Sequence, residues 1–227
     1  NLNELNLQRS ESFEDTFKIL ALYLDALVYR TDDHQKLIKA QANFNKPIIN
    51  GLSDLSHPCQ IISDIYTLKK IFKNFENLNI SWFGDMNNIL FSYLEFLKIF
   101  PNIKINIFTN EKIYQQNIQN FPKIDNAKYF FNIDEDIISN TDCIMTDVYT
   151  SMNDIQNNEK TLLLNKFQIN NKIMALTSDK CVFAHCLPAN IGSEVTQDVI
   201  DSDKSIVLDQ AKNRMVAQNG ILEWLFV

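Results

Sequence analysis

Glycine is scarce in this chain: four in 227 residues, Gly51, Gly84, Gly192 and Gly220, none spaced as G-x-G-x-x-G. A dinucleotide fold needs that turn after its first strand, so nicotinamide chemistry is disfavoured. No apolar run approaches the roughly 20 residues of a membrane span, so no membrane partner is expected. Lys and Arg number 21 against 28 Asp and Glu, a net charge of −7, and nothing forms a basic stripe, which disfavours a nucleic-acid partner. The four cysteines, Cys59, Cys143, Cys181 and Cys186, lack C-x-x-C spacing. That suits reduced thiols in a cytoplasm better than a disulfide framework or a zinc site, and neither metal nor cofactor is expected. The first residue is Asn1, with no initiator Met, basic n-region or apolar h-region, so the chain is expected to be cut or processed at its amino end and to carry no targeting segment.

What is present is a soluble globular composition, 45% hydrophobic and 22% charged, long enough for one large α/β domain or one domain plus part of another. Apolar periodicity predicts a helix from Glu11 running into a strand at Ala26–Tyr29, a helix over Asp33–Ala42, and a strand at Lys46–Asn50. Ile61, Ile62, Ile65, Leu68, Ile71 and Phe72 recur at helical spacing and predict one long helix from His57 to about Phe75. Beyond it strands at Ile80–Phe83, Ile103–Phe108, Lys128–Phe131, Asp142–Thr146, Cys181–Ala184 and Ser205–Leu208 are expected. Helices are expected at Asn88–Phe100, Glu111–Asn120, Lys160–Phe167, Asn170–Leu176 and Thr196–Ile200, and a closing helix to Leu225. This alternation predicts an α/β fold with a parallel sheet and helices on both faces, plus a partial second α/β lobe.

Four polar blocks stand where strands give way to loops or helices: His57-Pro58-Cys59-Gln60, Gly84-Asp85-Met86-Asn87-Asn88, Asp147-Val148-Tyr149-Thr150-Ser151-Met152 and Phe183-Ala184-His185-Cys186-Leu187-Pro188. The carboxyl edge of an open α/β sheet is where ligands bind. Each residue also has a plainer reading: Cys186 as a buried apolar group, His57 as a helix-start residue, Asp147 as an N-cap, Asn88 as a turn residue. Arginine is scarce too, only Arg9, Arg30 and Arg214, and guanidinium is the group for planar, bidentate binding of an oxyanion. For Arg30 and Arg214 the plainer reading is a surface ion pair.

In this order and at these separations the blocks resemble the ornithine carbamoyltransferases, with their H-P-x-Q, G-D-x-x-N-N, D-x-x-x-S-M-G and H-C-L-P motifs; Ala211-Lys212-Asn213-Arg214 is similar to the family's A-E-N-R, with Lys212 for the usual Glu. The resemblance implies carbamoyl phosphate and L-ornithine as substrates, giving L-citrulline and phosphate. It implies that Arg30, His57 and Gln60 hold the carbamoyl group and that Arg214 is a second substrate-binding arginine. Asn88 would bind the α-carboxylate, with Asp147, Ser151 and Met152 around the α-amino group and side chain. Cys186 would position and activate the amine without becoming an acyl nucleophile, while backbone carbonyls beside it, Leu187 among them, hold the carbamoyl nitrogen.

Two departures stand out. Asn153 follows Ser151-Met152 where the family has Gly, and Asn tolerates positive φ. The family's S-T-R-T-R phosphate block, upstream of a stretch resembling Leu7-Gln8-Arg9-Ser10-Glu11-Ser12, has no counterpart in the sequence. The chain is therefore expected to be an amino-truncated member, with residues 1–57 a remnant of the carbamoyl phosphate domain, 58–73 a connecting helix, 74–208 the ornithine domain and 209–227 a helix packing back. A homotrimer is implied for the full-length family member. A carbamoyltransferase for putrescine or an N-acylated ornithine, and a non-catalytic ligand-binding remnant, are the alternatives.

Overall fold

The computed structural model describes residues 12–150 and 158–227. The elements run α1 (Phe13–Tyr23), β1 (Leu27–Arg30), α2 (His34–Asn43), β2 (Ile48–Leu52), α3 (Pro58–Ile71), β3 (Asn79–Phe83), α4 (Asn88–Leu97), β4 (Lys104–Phe108) and α5 (Glu111–Asn117). They continue with β5 (Ala127–Phe130), α6 (Glu135–Ser139), β6 (Cys143–Thr146), α7 (Asn158–Leu164), α8 (Asn171–Ala175), β7 (Val182–His185), α9 (Gln197–Ile200) and α10 (Val207–Phe226).

β1 and β2 pair in parallel as a small two-stranded sheet. The larger sheet is parallel throughout, in the order β5-β4-β3-β6-β7. Its strands are apolar on both faces: Ile80, Trp82 and Phe83 of β3, Ile105 and Ile107 of β4, and Ile144 and Met145 of β6 are all buried. Only helices on both sides can cover such strands, which is why a parallel sheet reads as a continuous apolar run rather than an alternating one. Leu90, Tyr93, Leu94 and Leu97 of α4 supply one such cover. A separate small cluster of Phe17, Ala21, Ala40 and Phe44 joins α1 to α2 beside β1 and β2.

Register decides where the polar blocks meet. Phe83 is level with Thr146, and Thr146 with His185, so β3, β6 and β7 end at one height. The loops opened by Gly84, Asp147 and Cys186 therefore leave the sheet side by side. The chain order also reverses between β3 and β6, which makes their carboxyl ends the switch point at which open α/β sheets take ligands. Gly84 has φ +124°, and a Cβ there would come within 2.9 Å of Tyr149 Cε1, so the β3 loop needs glycine to lie against the β6 loop.

Three expectations are corrected. Ser205–Leu208 is not a strand: Ser205 makes a single parallel bridge to Phe183, and Val207 already opens α10. Val207, Gln210, Asn213 and Ala217 lie on the buried stripe of that helix, a period of three to four that outweighs the β-branched Ile206-Val207 pair. Arg214 thus lies two turns inside the helix. The His57 helix stops at Ile71, with Phe72 extended, and α6 occupies a stretch read as connection, where Asp134 caps it by accepting from the Ile137 N–H.

Candidate active site

His57 stands at the N-terminus of α3, followed by Pro58 at the first helical position, where a missing N–H costs nothing. Its side chain makes no cap. Its backbone N–H instead donates to Ser92 Oγ of α4 at 2.7 Å, which leaves the ring free to face the interior. His57 is buried and its Nδ1 has no partner. Burial pushes its pKa down to about 4, with the positive charges of Arg214 and then Arg30 adding to the effect. Arg30 at the end of β1 and Arg214 of α10, far apart in sequence, therefore both bear on His57.

At the switch point Asn87 caps α4, its Oδ1 accepting from the Ile89 and Leu90 N–H groups, while its Nδ2 donates to Asp147 Oδ2 at 2.7 Å. The other oxygen of Asp147 accepts from the Cys186 thiol at 2.8 Å. Burial, then the charge of Asp147 and the hydrogen bond to it, drive the Cys186 pKa well above its ordinary value. Cys186 is thus a protonated thiol, a donor and not a nucleophile. Asn88 turns its amide to the Ser53 carbonyl at 2.8 Å, tying α4 to the loop after β2.

The β7 loop is held from within. The Leu187 N–H donates to His185 Nδ1 at 2.9 Å, which leaves Nε2 to donate to Glu194 Oε1 at 3.3 Å. Leu187 has φ 51°, a left-handed conformation unfavourable for a branched side chain and one that this hydrogen bond helps to hold. Asp147, His185 and Cys186 bring possible ligand atoms within 4.8 Å of one another. Those atoms are engaged with Asn87, Leu187 and Glu194 and with each other, so the cluster reads as a set of braces for the loop.

Gln60, Cys186, Leu187 and Arg214 line one cavity of about 610 Å³ together with His185 and Gln210. Asp147 joins it through Cys186, and His57 lies at the head of the helix carrying Gln60. Ser151 and Met152 lie outside the described residues, as do Arg9 and Asn153. Sequence reasoning singled out neither Asn87 as the partner of Asp147 nor Asp64 and Gln210, which hold Gln60. The four-residue spacing from Gln60 to Asp64 on one helix face was the available signal.

The fold and these loops define a doubly wound α/β protein whose switch-point loops stand beside a cavity and a helix-bound polar cluster. Its sequence matches the profile "Aspartate/ornithine carbamoyltransferase, Asp/Orn binding domain" over residues 76–225 and the "carbamoyl-P binding domain" of the same family over residues 1–70. The chain belongs to the aspartate/ornithine carbamoyltransferase family. An ornithine carbamoyltransferase of Bradyrhizobium diazoefficiens is 36% identical over 98% of this chain and 73% of its own length; one of Methanocaldococcus jannaschii is 35% identical over 100% and 76%. Among solved structures, the ornithine carbamoyltransferase of Pyrococcus furiosus superposes with a TM-score of 0.81 at 32% identity, covering 95% of this chain and 71% of that one. The anabolic ornithine carbamoyltransferase of Campylobacter jejuni gives 0.83 at 26% identity, covering 98% and 76%. No helix among the described residues is long and apolar enough to cross a membrane.

Proposed function

We propose that this protein is an ornithine carbamoyltransferase, moving the carbamoyl group of carbamoyl phosphate to the δ-amine of L-ornithine to give L-citrulline and phosphate. The observation that carries this reading is the Asn87, Asp147, Cys186 chain of hydrogen bonds set beside the cavity bounded by Gln60 and Arg214.

The transfer needs fixed donors at the carbonyl oxygen as it gains negative charge. His57, neutral near pH 7, can give an N–H there, with the Arg30 guanidinium adding charge. The neutral δ-amine forms the new C–N bond, the carbonyl re-forms as the C–O bond to phosphate breaks, and the departing phosphate takes up the proton that the amine releases. Cys186, kept as a thiol, presents a polar sulfur to the amine, while the Asp147 carboxylate, already oriented by Asn87, accepts from an ammonium of the amino acid. Asn88 on the same helix start serves the α-carboxylate, with Ser151, Met152 and the Leu187 carbonyl completing the grip.

Further readings go with this proposal: a place in arginine metabolism, a homotrimeric assembly, and the cytoplasm as its compartment. All four cysteines are free thiols, which supports a reducing compartment. The test is citrulline formation by the protein as its gene encodes it, alongside calorimetry with ornithine. Citrulline formed from ornithine, with putrescine and N-acetylornithine poor substitutes, is expected. Absence of ornithine binding would overturn the assignment.

A further inference from the structure

Gln60 presents an unusual combination: its side chain is buried, its Nε2 is bonded, and its Oε1 has no partner. An unpaired buried acceptor is costly, and the residue that carries this one lines a cavity. Which amide atom is left without a partner is settled by a chain of bonds of known direction. The His185 backbone N–H can only donate, and it donates to Gln210 Oε1 at 3.0 Å. Gln210 must then offer Nε2, which reaches Asp64 Oδ1 at 2.8 Å. The same oxygen receives Gln60 Nε2 at 2.8 Å, and the other oxygen of Asp64 accepts from the Tyr93 hydroxyl at 2.7 Å. With Nε2 committed to a carboxylate, Gln60 has only its carbonyl oxygen left to offer a ligand.

Resting on the function proposed above, we propose that Asp64 is a positioning residue for donor selectivity: it fixes the polarity of the Gln60 amide, so that Gln60 Oε1 accepts from the amino group of carbamoyl phosphate and discriminates against an acyl phosphate with a methyl group there. Were the amide reversed, an N–H would confront the carbamoyl N–H and the carbonyl would confront a carboxylate. The arrangement survives protonation of Asp64. Asp64 has its pKa raised to about 6, chiefly by burial, and a proton on Oδ2 needs only a rotation of the Tyr93 hydroxyl, with Oδ1 still receiving both glutamines. A site built to hydrogen-bond an N–H rejects the analogue that lacks it, because the analogue leaves a buried group unpaired.

The experiment compares Kd values for carbamoyl phosphate and acetyl phosphate in the wild-type protein and in three Asp64 variants, with KM and kcat for citrulline formation beside them. Asp64→Asn keeps an acceptor for both glutamines and turns its Nδ2 to Tyr93, so it should keep the wild-type preference. Asp64→Leu, of similar size but with no acceptor, should shrink the carbamoyl-to-acetyl selectivity about tenfold, the worth of one hydrogen bond, and raise the KM for carbamoyl phosphate while that for ornithine holds. Asp64→Ser, whose hydroxyl is too short to reach either glutamine, should do the same and serves if the Leu variant does not fold. Selectivity unchanged in a folded Leu or Ser variant overturns the role of Asp64. A wild-type protein that binds carbamoyl phosphate but never forms citrulline overturns instead the function on which it rests.

Discussion

The Cys186 thiol donates to Asp147 Oδ1 across 2.8 Å, joining two loops that leave neighbouring strands 39 residues apart in sequence. The bond keeps the sulfur protonated, since ionising it would set a thiolate against a carboxylate in a buried place. Alkylation by iodoacetamide at pH 8 should therefore be slow, and Asp147→Asn, which removes the charge but leaves an oxygen to accept the thiol, should speed it. The measurement is the second-order rate at Cys186 by peptide mass spectrometry. An equal rate in the two proteins would mean that burial alone governs this thiol.

Asn87 meets two demands that no other side chain meets together. Its oxygen caps α4 and its nitrogen holds Asp147. Asn87→Asp keeps the cap, and even suits the helix dipole, but places a second carboxylate against Asp147. This variant should lose about 2 kcal/mol of stability at pH 8, from a lost charge-assisted hydrogen bond and the new repulsion, and should recover part of it as acid neutralises the pair. Asn87→Ser, which keeps a cap and adds no charge, should lose less. Urea titrations at pH 8 and pH 5 separate these outcomes.

The sheet was legible because its strands are short apolar runs bounded by polar blocks, and Ile80–Phe83 could hardly be anything but a buried parallel strand. The convergence of the loops was legible in outline, from polar blocks placed at strand ends and from the resemblance, but not in its pairings. Nothing local says that Phe83 and Thr146 end level, and it is this register that gives Asp147 to Asn87. Asp64 was illegible for a similar reason, since its partner Gln210 lies 146 residues away and the helix bearing it starts within a stretch read as strand. Ser205–Leu208 misled because two β-branched residues carry a strand signal that a long amphipathic helix overrides.

Two buried groups on and beside α3 pull the pH dependence of stability in opposite directions. His57 has its pKa lowered from 6.5 to about 4, so between those values the unfolded chain binds more protons and stability falls as the pH drops. Asp64 has its pKa raised from 3.8 to about 6, so over nearly the same window the folded chain binds more protons and stability rises as the pH drops. The two contributions largely offset one another. Asp64→Asn should remove one side of the balance and make the loss of Tm between pH 6.5 and pH 4 steeper than in the wild type. Parallel melting curves at half-unit pH intervals check this, and identical slopes would show that one of the two groups titrates elsewhere.

Under the proposed function the two lobes divide the substrates, so kinetics should divide as well. Arg30 ends β1 in the small lobe and bears on His57, whereas Asn88 begins α4 beyond the carboxyl end of β3, the central strand of the large sheet. With Arg30 as a preorganised cation for the carbamoyl donor, Arg30→Ala should remove about 3 kcal/mol of transition-state stabilisation, a loss of order a hundredfold in kcat/KM for carbamoyl phosphate. The calorimetric Kd for ornithine should change little. Asn88→Ala should weaken ornithine instead, with a smaller effect on carbamoyl phosphate, and because Asn88 also donates to the Ser53 carbonyl it should loosen the junction between the lobes and lower Tm. Arg30→Lys decides whether charge or geometry matters at β1, since an ammonium keeps the charge but not the planar fork. Recovery of most activity by the lysine would reduce Arg30 to an electrostatic aid, while failure to recover would place its guanidinium on the donor itself.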